Sequence, residues 1–204
     1  MKILNAMLSV LLLFALFFFL VSCSGSSCCK HNTNTTSIPQ EILEKGNQFI
    51  ISKTGEDFFN KYIQPDLSSS QELSSGYFLA YSFNIPEKPH VKGTIRFTVD
   101  SLGKILTDRE ISGIPDCETS PGECDFNIDE SRASEIAKQN GLEPGIKDWK
   151  RNFIWNAQFD KYVWQILNTH NESEGGYGKR ANGREMIIDP GTGEVLAINE
   201  WRVN

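Results

Sequence analysis

Gly183-Arg-Glu-Met-Ile-Ile188-Asp189-Pro-Gly-Thr-Gly193-Glu-Val195-Leu196 is the stretch whose reading decides the fold. An apolar run ends in a β-branched residue plus aspartate. A proline–glycine turn follows, and an apolar pair resumes. Aspartate can bond forward to the backbone and glycine supplies positive φ, so the stretch predicts two antiparallel strands joined by a tight turn. A version one turn residue shorter stands earlier, as Gly93-Thr-Ile-Arg-Phe-Thr-Val99-Asp100-Ser-Leu-Gly103-Lys-Ile105-Leu106. Two hairpins could share this look by chance. A duplication also accounts for the helical pattern and the aromatic strand that precede each copy. The expectation is an α+β fold of two repeats, each a helix packed on a short antiparallel β-sheet.

Working outward, Tyr77 to Asn84 alternates Tyr77, Leu79, Tyr81 and Phe83, and Thr94 to Val99 alternates Ile95, Phe97 and Val99. Both read as strands with one buried face, and a third strand is expected over Lys104 to Ile111. Ahead of them, Ile42, Leu43, Phe49 and Ile50 keep to one helical face. Thr54-Gly55 interrupts that pattern, and Phe58, Phe59, Tyr62 and Ile63 resume it until Pro65. Ser37 with Gln40 suggests a capping box, with Pro39 in the first turn. In the second half, Asp129 is the expected N-cap, Ile128 packs on Ala133 as a staple, and Gly141 is the C′ stop. Strands are expected over Trp149 to Asn156, Tyr162 to His170, Arg184 to Asp189 and Glu194 to Arg202.

The N-terminus carries an address. Lys2 precedes an almost entirely apolar run from Ile3 to Val21, the pattern of a secretory signal. Leu20-Val21-Ser22-Cys23 resembles the lipobox of bacterial lipoproteins, which implies cleavage after residue 22 and lipid on Cys23. The alternatives are a transmembrane anchor, since the run could just span a bilayer, and a cleavable signal without lipid. Residues 23–37 are small and polar and read as a flexible tether reaching about 20 Å. Ser24 after the cysteine resembles the enterobacterial outer-membrane sorting pattern, so the outer membrane or the periplasmic face is the favoured place.

Removing the signal leaves about 180 residues. With 20 Lys+Arg against 26 Asp+Glu in the whole chain, the mature net charge is about −7. No basic block interrupts it, which argues against nucleic acid as a partner and against electrostatic binding to anionic lipid. Cys117 and Cys124 bracket a turn-rich segment and, in an oxidising compartment, read as a small disulfide loop; the alternative is two free buried thiols. Cys28-Cys29 fits no common framework and poorly matches zinc spacing.

The second half resembles a PepSY-like domain. Ile128-Asp129-Glu130 with Ala133 and Ile136-Ala137 is similar to that family's opening helix. Tyr162-Val163-Trp164-Gln165-Ile166 is similar to its central strand, and Ile187 to Leu196 to its closing hairpin. The first half resembles it more loosely. The resemblance implies repeats over 38–115 and 116–204, a helix against a short antiparallel sheet in each, and an extracytoplasmic, often membrane-anchored setting. Some family members restrain peptidases from propeptides. No peptidase domain is recognisable in this chain, and the segment Asn171 to Asn182 is longer than the pattern.

Catalytic motifs are not found. His31, His90 and His170 show no metal spacing, no serine sits in a nucleophile elbow, and no glycine-rich loop precedes a helix. No cofactor is expected and the chain is not read as an enzyme. The expectation is a membrane-anchored lipoprotein acting as a non-catalytic binding or inhibitory module, toward a peptidase or an envelope protein. The alternatives are a structural envelope lipoprotein without a specific ligand and, third, an enzyme. The candidate contact residues are Tyr177, Lys179 and Arg180. Tyr177 stands among glycines in the expected loop Asn171 to Asn182, a composition that recurs in binding loops; the bland alternative is a mobile surface loop. Trp149, Trp155, Trp164 and Trp201 could form an exposed face, but packing between sheet and helix is the stronger expectation.

Overall fold

A computed structural model describes residues 38–175 and 178–203. The expected signal and tether, Cys23, Cys28, Cys29 and Tyr177 lie outside the described residues. Two antiparallel sheets carry the fold, each with helix on one face.

The first half opens with α1, Gln40–Thr54, whose buried stripe Ile42, Gly46, Ile50 and Thr54 repeats every four residues. That spacing is one face of a helix. The chain breaks at Gly55 and continues as α2, Glu56–Tyr62. Pro39 is the N-cap of α1, and the Gln40 amide reaches Glu44 at 3.3 Å rather than back to the cap, so no capping box closes on Gln40. Helix also stops one residue earlier than the apolar pattern suggests. Ile63–Pro65 is strand β1, an edge position that tolerates proline.

Strand β3, Gly76–Asn84, lies at the centre of the first sheet. On one side it pairs with β1 and with the short β2, Gln71–Leu73; on the other it pairs with β4, Lys92–Val99. Leu79, Tyr81, Phe83, Ile95, Phe97 and Val99 point to the helices and are buried. Burying each such side chain contributes about 1.5–3 kcal/mol. The strand expected over Lys104 to Ile111 is not continuous. The chain touches β4 through isolated bridges at Val99–Ile105 and Arg96–Ser112 and bows away between them.

The second half opens with α3, Glu130–Gln139. The Asp129 side chain accepts from the Arg132 N–H at 2.8 Å. At the other end Gly141 N–H donates to Lys138 O and Leu142 N–H to Ala137 O, the paired bonds of a Schellman stop. Ala133, Ile136 and Ala137 pack on Trp164, Ile166, Met186 and Ile188. The sheet beneath runs β5 (Lys150–Asn156), β6 (Lys161–Leu167), β8 (Gly178–Ile188) and β9 (Val195–Val203), each paired antiparallel with the next; β7 (Asn171–Gly175) also pairs with β8.

The two quoted turns fold alike. Asp100 Oδ1 accepts from Leu102 and Lys104 N–H at 2.8 and 2.9 Å. Asp189 Oδ1 accepts from Gly191 and Thr192 N–H at the same two distances. Gly103 and Gly193 both have positive φ, 80° and 78°. A Cβ on Gly103 would meet Lys45 and Ile42 of α1, and one on Gly193 would meet Ile136 of α3. Each turn is therefore seated on the helix of its own half. Burial opposes ionisation of Asp189, but the N–H donors of Thr192 and Gly191, with Lys161 beside them at 3.1 Å, hold its carboxyl below the usual range.

Between the halves, Cys117 and Cys124 are joined, their Cα atoms 5.5 Å apart. The loop is tied to both sides. Glu118 N–H donates to Lys53 O on α1, and Glu123 approaches Lys161 of β6 at 3.4 Å. Closing a ring of this size contributes about 2.5 kcal/mol on the chain-entropy account. The double substitution Cys117→Ser/Cys124→Ser should therefore lower the melting temperature by roughly 5–10 °C. Scanning calorimetry of the two proteins checks it, and coincident melts would refute the contribution.

Candidate functional site

The expected loop Asn171 to Asn182 is a β-hairpin. Strand β7 pairs with the start of β8 from Asn171–Asn182 to Gly175–Gly178. Strand β8 thus begins at Gly178 rather than at Arg184. Lys179 lies on β8 opposite Glu174, and Arg180 lies opposite Ser173.

A β-bulge sets this arm. Leu167 pairs with Glu185, and Asn171 pairs with Asn182. Four steps along one strand match three along the other, so one residue is extra. Asn168, at 0% exposure, organises the bulge. Its side-chain Oδ1 accepts from Arg184 N–H at 2.7 Å, which orients the amide. Its Nδ2 then donates to Glu143 O at 2.8 Å and to His170 Nε2 at 3.0 Å. With the amide donating, His170 Nε2 accepts, which places the ring hydrogen on Nδ1. The Asn168 backbone O accepts from the Trp201 indole at 2.9 Å. Gly183 faces this group so closely that a Cβ would sit 2.1 Å from Asn168 O.

Around the bulge lies a cleft of about 500 Å³, lined by His170, Asn182, Arg184, Glu200, Trp201 and Arg202. A neighbouring groove of about 530 Å³ shares His170, Asn182 and Arg202 and adds Ser173 and Arg180. Register explains the grouping. Arg180, Asn182 and Arg184 alternate along one face of β8, and Glu200 and Arg202 stand opposite Arg184 and Asn182 on β9. Among the described residues, Arg180, Arg184 and Arg202 have no side-chain hydrogen bond or ion pair. Of the sequence candidates, Arg180 belongs to this face, Lys179 is the preceding residue of the same strand, and Tyr177 lies outside the described residues. Sequence reasoning set His170 aside for want of metal spacing and did not single out Arg184 or Arg202, which come together only through the pairing of β8 with β9.

A second cleft, about 710 Å³, opens between the halves. The His90 ring packs on Phe153 and Trp164, with centroids 5.9 and 5.4 Å away. Its Nε2 is buried with no hydrogen-bond partner. Burial holds the imidazole below its ordinary pKa, against the opposing pull of Asp129. Asp129, Glu130, Lys92 and Arg151 also line this cleft. Among the described residues no group of three or more His, Cys, Asp or Glu side chains is placed to hold a metal ion.

The tryptophans divide. Trp164 and Trp149 pack with α3 as expected, whereas Trp155 packs on Tyr162 at the junction of the halves and Trp201 lines the basic cleft. Among the described residues no helix is long and apolar enough to cross a membrane. Compared with known proteins, the chain matches no family model, no curated protein and no solved structure.

Proposed function

We propose that the chain is a membrane-anchored extracytoplasmic lipoprotein, lipidated at Cys23. Its two PepSY-like repeats act as a non-catalytic binding or inhibitory module toward a protein partner, a peptidase or an envelope protein. The observation that carries this reading is the arm of β7 and β8. It extends a strand pair past the helix-covered core and exposes Arg180, which has no ion pair among the described residues. A hairpin on a rigid sheet presents contacts at little cost to the core.

The duplication draws support from topology. The first half runs helix, β1, β3, β4 and the Ile105 bridge, each strand beside the one before it. The second runs helix, β5, β6, β8 and β9 in the same order. Strand β2 and the arm are then insertions, one in each half. The matched aspartate turns, each against its own helix, support the same reading.

Cross-linking in intact cells followed by mass spectrometry tests it. Wild-type protein should carry lipid on Cys23 and retain a cross-linked protein partner. A variant with Ser173–Arg180 replaced by Asn-Gly keeps the Glu172–Ala181 pair to close a two-residue turn. It should fold and lose the partner. An unmodified mature N-terminus downstream of Cys23 would sink the anchor. Undiminished capture by the trimmed arm would favour a binding site elsewhere, and capture of nothing by wild type would favour the structural envelope role.

A further inference from the structure

We propose that the basic face shared by β8 and β9 receives an acidic, extended segment of a partner protein. Its carboxylates would be held by Arg180, Arg184 and Arg202, and its backbone paired with the outer edge of β9. The inference rests on the binding-module reading above and names the chemistry of its ligand.

Charge is the first argument. The chain as a whole is acidic, with a net charge of −6. Elsewhere in the second half, both other arginines, Arg132 and Arg151, have a carboxylate partner. Arg184 and Arg202 of the cleft and Arg180 of the adjoining groove have none among the described residues, and by register they share one face. Arginine presents a planar fork that matches a carboxylate with two parallel hydrogen bonds. Three guanidiniums outnumber the carboxylates of Glu200 and Glu172 that line the same concave surface, and such a local excess of one sign attracts the opposite sign even when the net charge repels it.

Spacing is the second. Arg184 pairs with Glu200, and Asn182 with Arg202, so Arg184 and Arg202 are diagonal neighbours on adjacent strands. Such positions lie about 7–8 Å apart. Side chains two apart on an extended chain are separated by nearly the same distance, about 7 Å. Carboxylates at alternate positions of a strand therefore meet alternate guanidiniums.

The edge is the third. Strand β9 is nine residues long and pairs with β8 along one side, and no other described strand pairs with it. Ile198 is 41% exposed on it. An unpaired strand edge is a template for strand addition, in which the backbone supplies affinity and alternate side chains supply specificity. Glu200, exposed within the same face, opposes an acidic guest. It therefore tunes the site in a direction that can be measured.

The test uses the full chain in detergent and a fluorescein-labelled decapeptide of alternating Glu and Thr, read by fluorescence anisotropy at low salt. Arg184→Gln/Arg202→Gln should weaken binding at least tenfold. Glu200→Gln should tighten it two- to fivefold, a gain that misfolding does not produce. Lys92→Gln/Lys138→Gln, with the same change in net charge, should stay within twofold of wild type. The matching Lys–Thr peptide should not bind. Equal losses in the two double variants would overturn the site as nonspecific charge. Displacement of the peptide by millimolar inorganic phosphate, with no effect of Glu200→Gln, would overturn it in favour of a small-anion site. Cross-linking in cells separates the two readings. A partner still captured by Arg184→Gln/Arg202→Gln but lost with the trimmed arm refutes the acidic segment and leaves the binding module standing. Loss of the partner from both variants supports the proposal.

Discussion

Replacing Tyr162 with alanine should lower the unfolding free energy by about 3–5 kcal/mol, the range for deleting a buried aromatic ring. Tyr162 belongs to β6 of the second half, yet it packs with the core of the first. Its ring stacks on Phe153 with centroids 5.2 Å apart, and it meets Phe83 at 5.4 Å and Trp155 at 5.3 Å. Its hydroxyl donates to Gly113 O at 3.1 Å. Burial pushes the phenol pKa up, so the group stays neutral and remains a donor. Truncation would leave a cavity at the junction of the halves and an unpartnered carbonyl beside it. Tyr162→Phe keeps the ring and removes only the hydrogen bond, worth about 1 kcal/mol. Urea denaturation of the three proteins checks this through the midpoint shift multiplied by m. A loss below 1 kcal/mol for alanine would mean that the junction is not carried by this ring.

The junction also shows which features were legible in the sequence. Both helices with strong apolar periods, the Asp129 cap, the Gly141 stop and the paired aspartate turns could be read, because each has a local cause in side-chain chemistry or burial period. The strand Tyr77 to Asn84 was visible for the same reason, as was the expected strand from Tyr162, although it ends at Leu167 and its expected continuation to His170 is the bulge. That Tyr162 would leave its own half to join Phe83 was not visible, because alternation assigns a residue to a face and not to the neighbour that covers it. The arm failed differently. Asn171 to Asn182 has polar side chains on both faces, so it offers no hydrophobic alternation and read as a loop. The bulge that starts it depends on one extra residue, which only the observed register reveals. Arg184 and Arg202 are eighteen positions apart in the chain and meet only because β8 and β9 pair. Arg180, singled out for its loop composition, proved to belong to the same face.

Asn168→Leu should cost about 3 kcal/mol or more and should loosen the arm before it loosens the core. The two side chains are similar in size, so the effect isolates polarity. Leucine leaves Glu143 O and Arg184 N–H without the partners they have at 2.8 and 2.7 Å. A buried donor or acceptor left unsatisfied costs about 1–3 kcal/mol, and here one substitution orphans one of each. The same amide reaches His170 Nε2, which would lose its donor within the cleft. Asn168→Ala makes the sharper comparison. It vacates space into which water can move and satisfy the orphaned groups, so it should cost less than leucine despite removing more atoms. Hydrogen exchange gives the second readout. Amides of β7 and the first half of β8 should exchange faster in Asn168→Leu, while those of β6 opposite α3 keep their protection except through global unfolding. Peptide binding at the basic face should weaken with them, because Arg184 is oriented through the backbone N–H that Asn168 holds. If leucine proves no more costly than alanine and the arm amides stay protected, the bulge is held by strand pairing alone and Asn168 is a passenger in it.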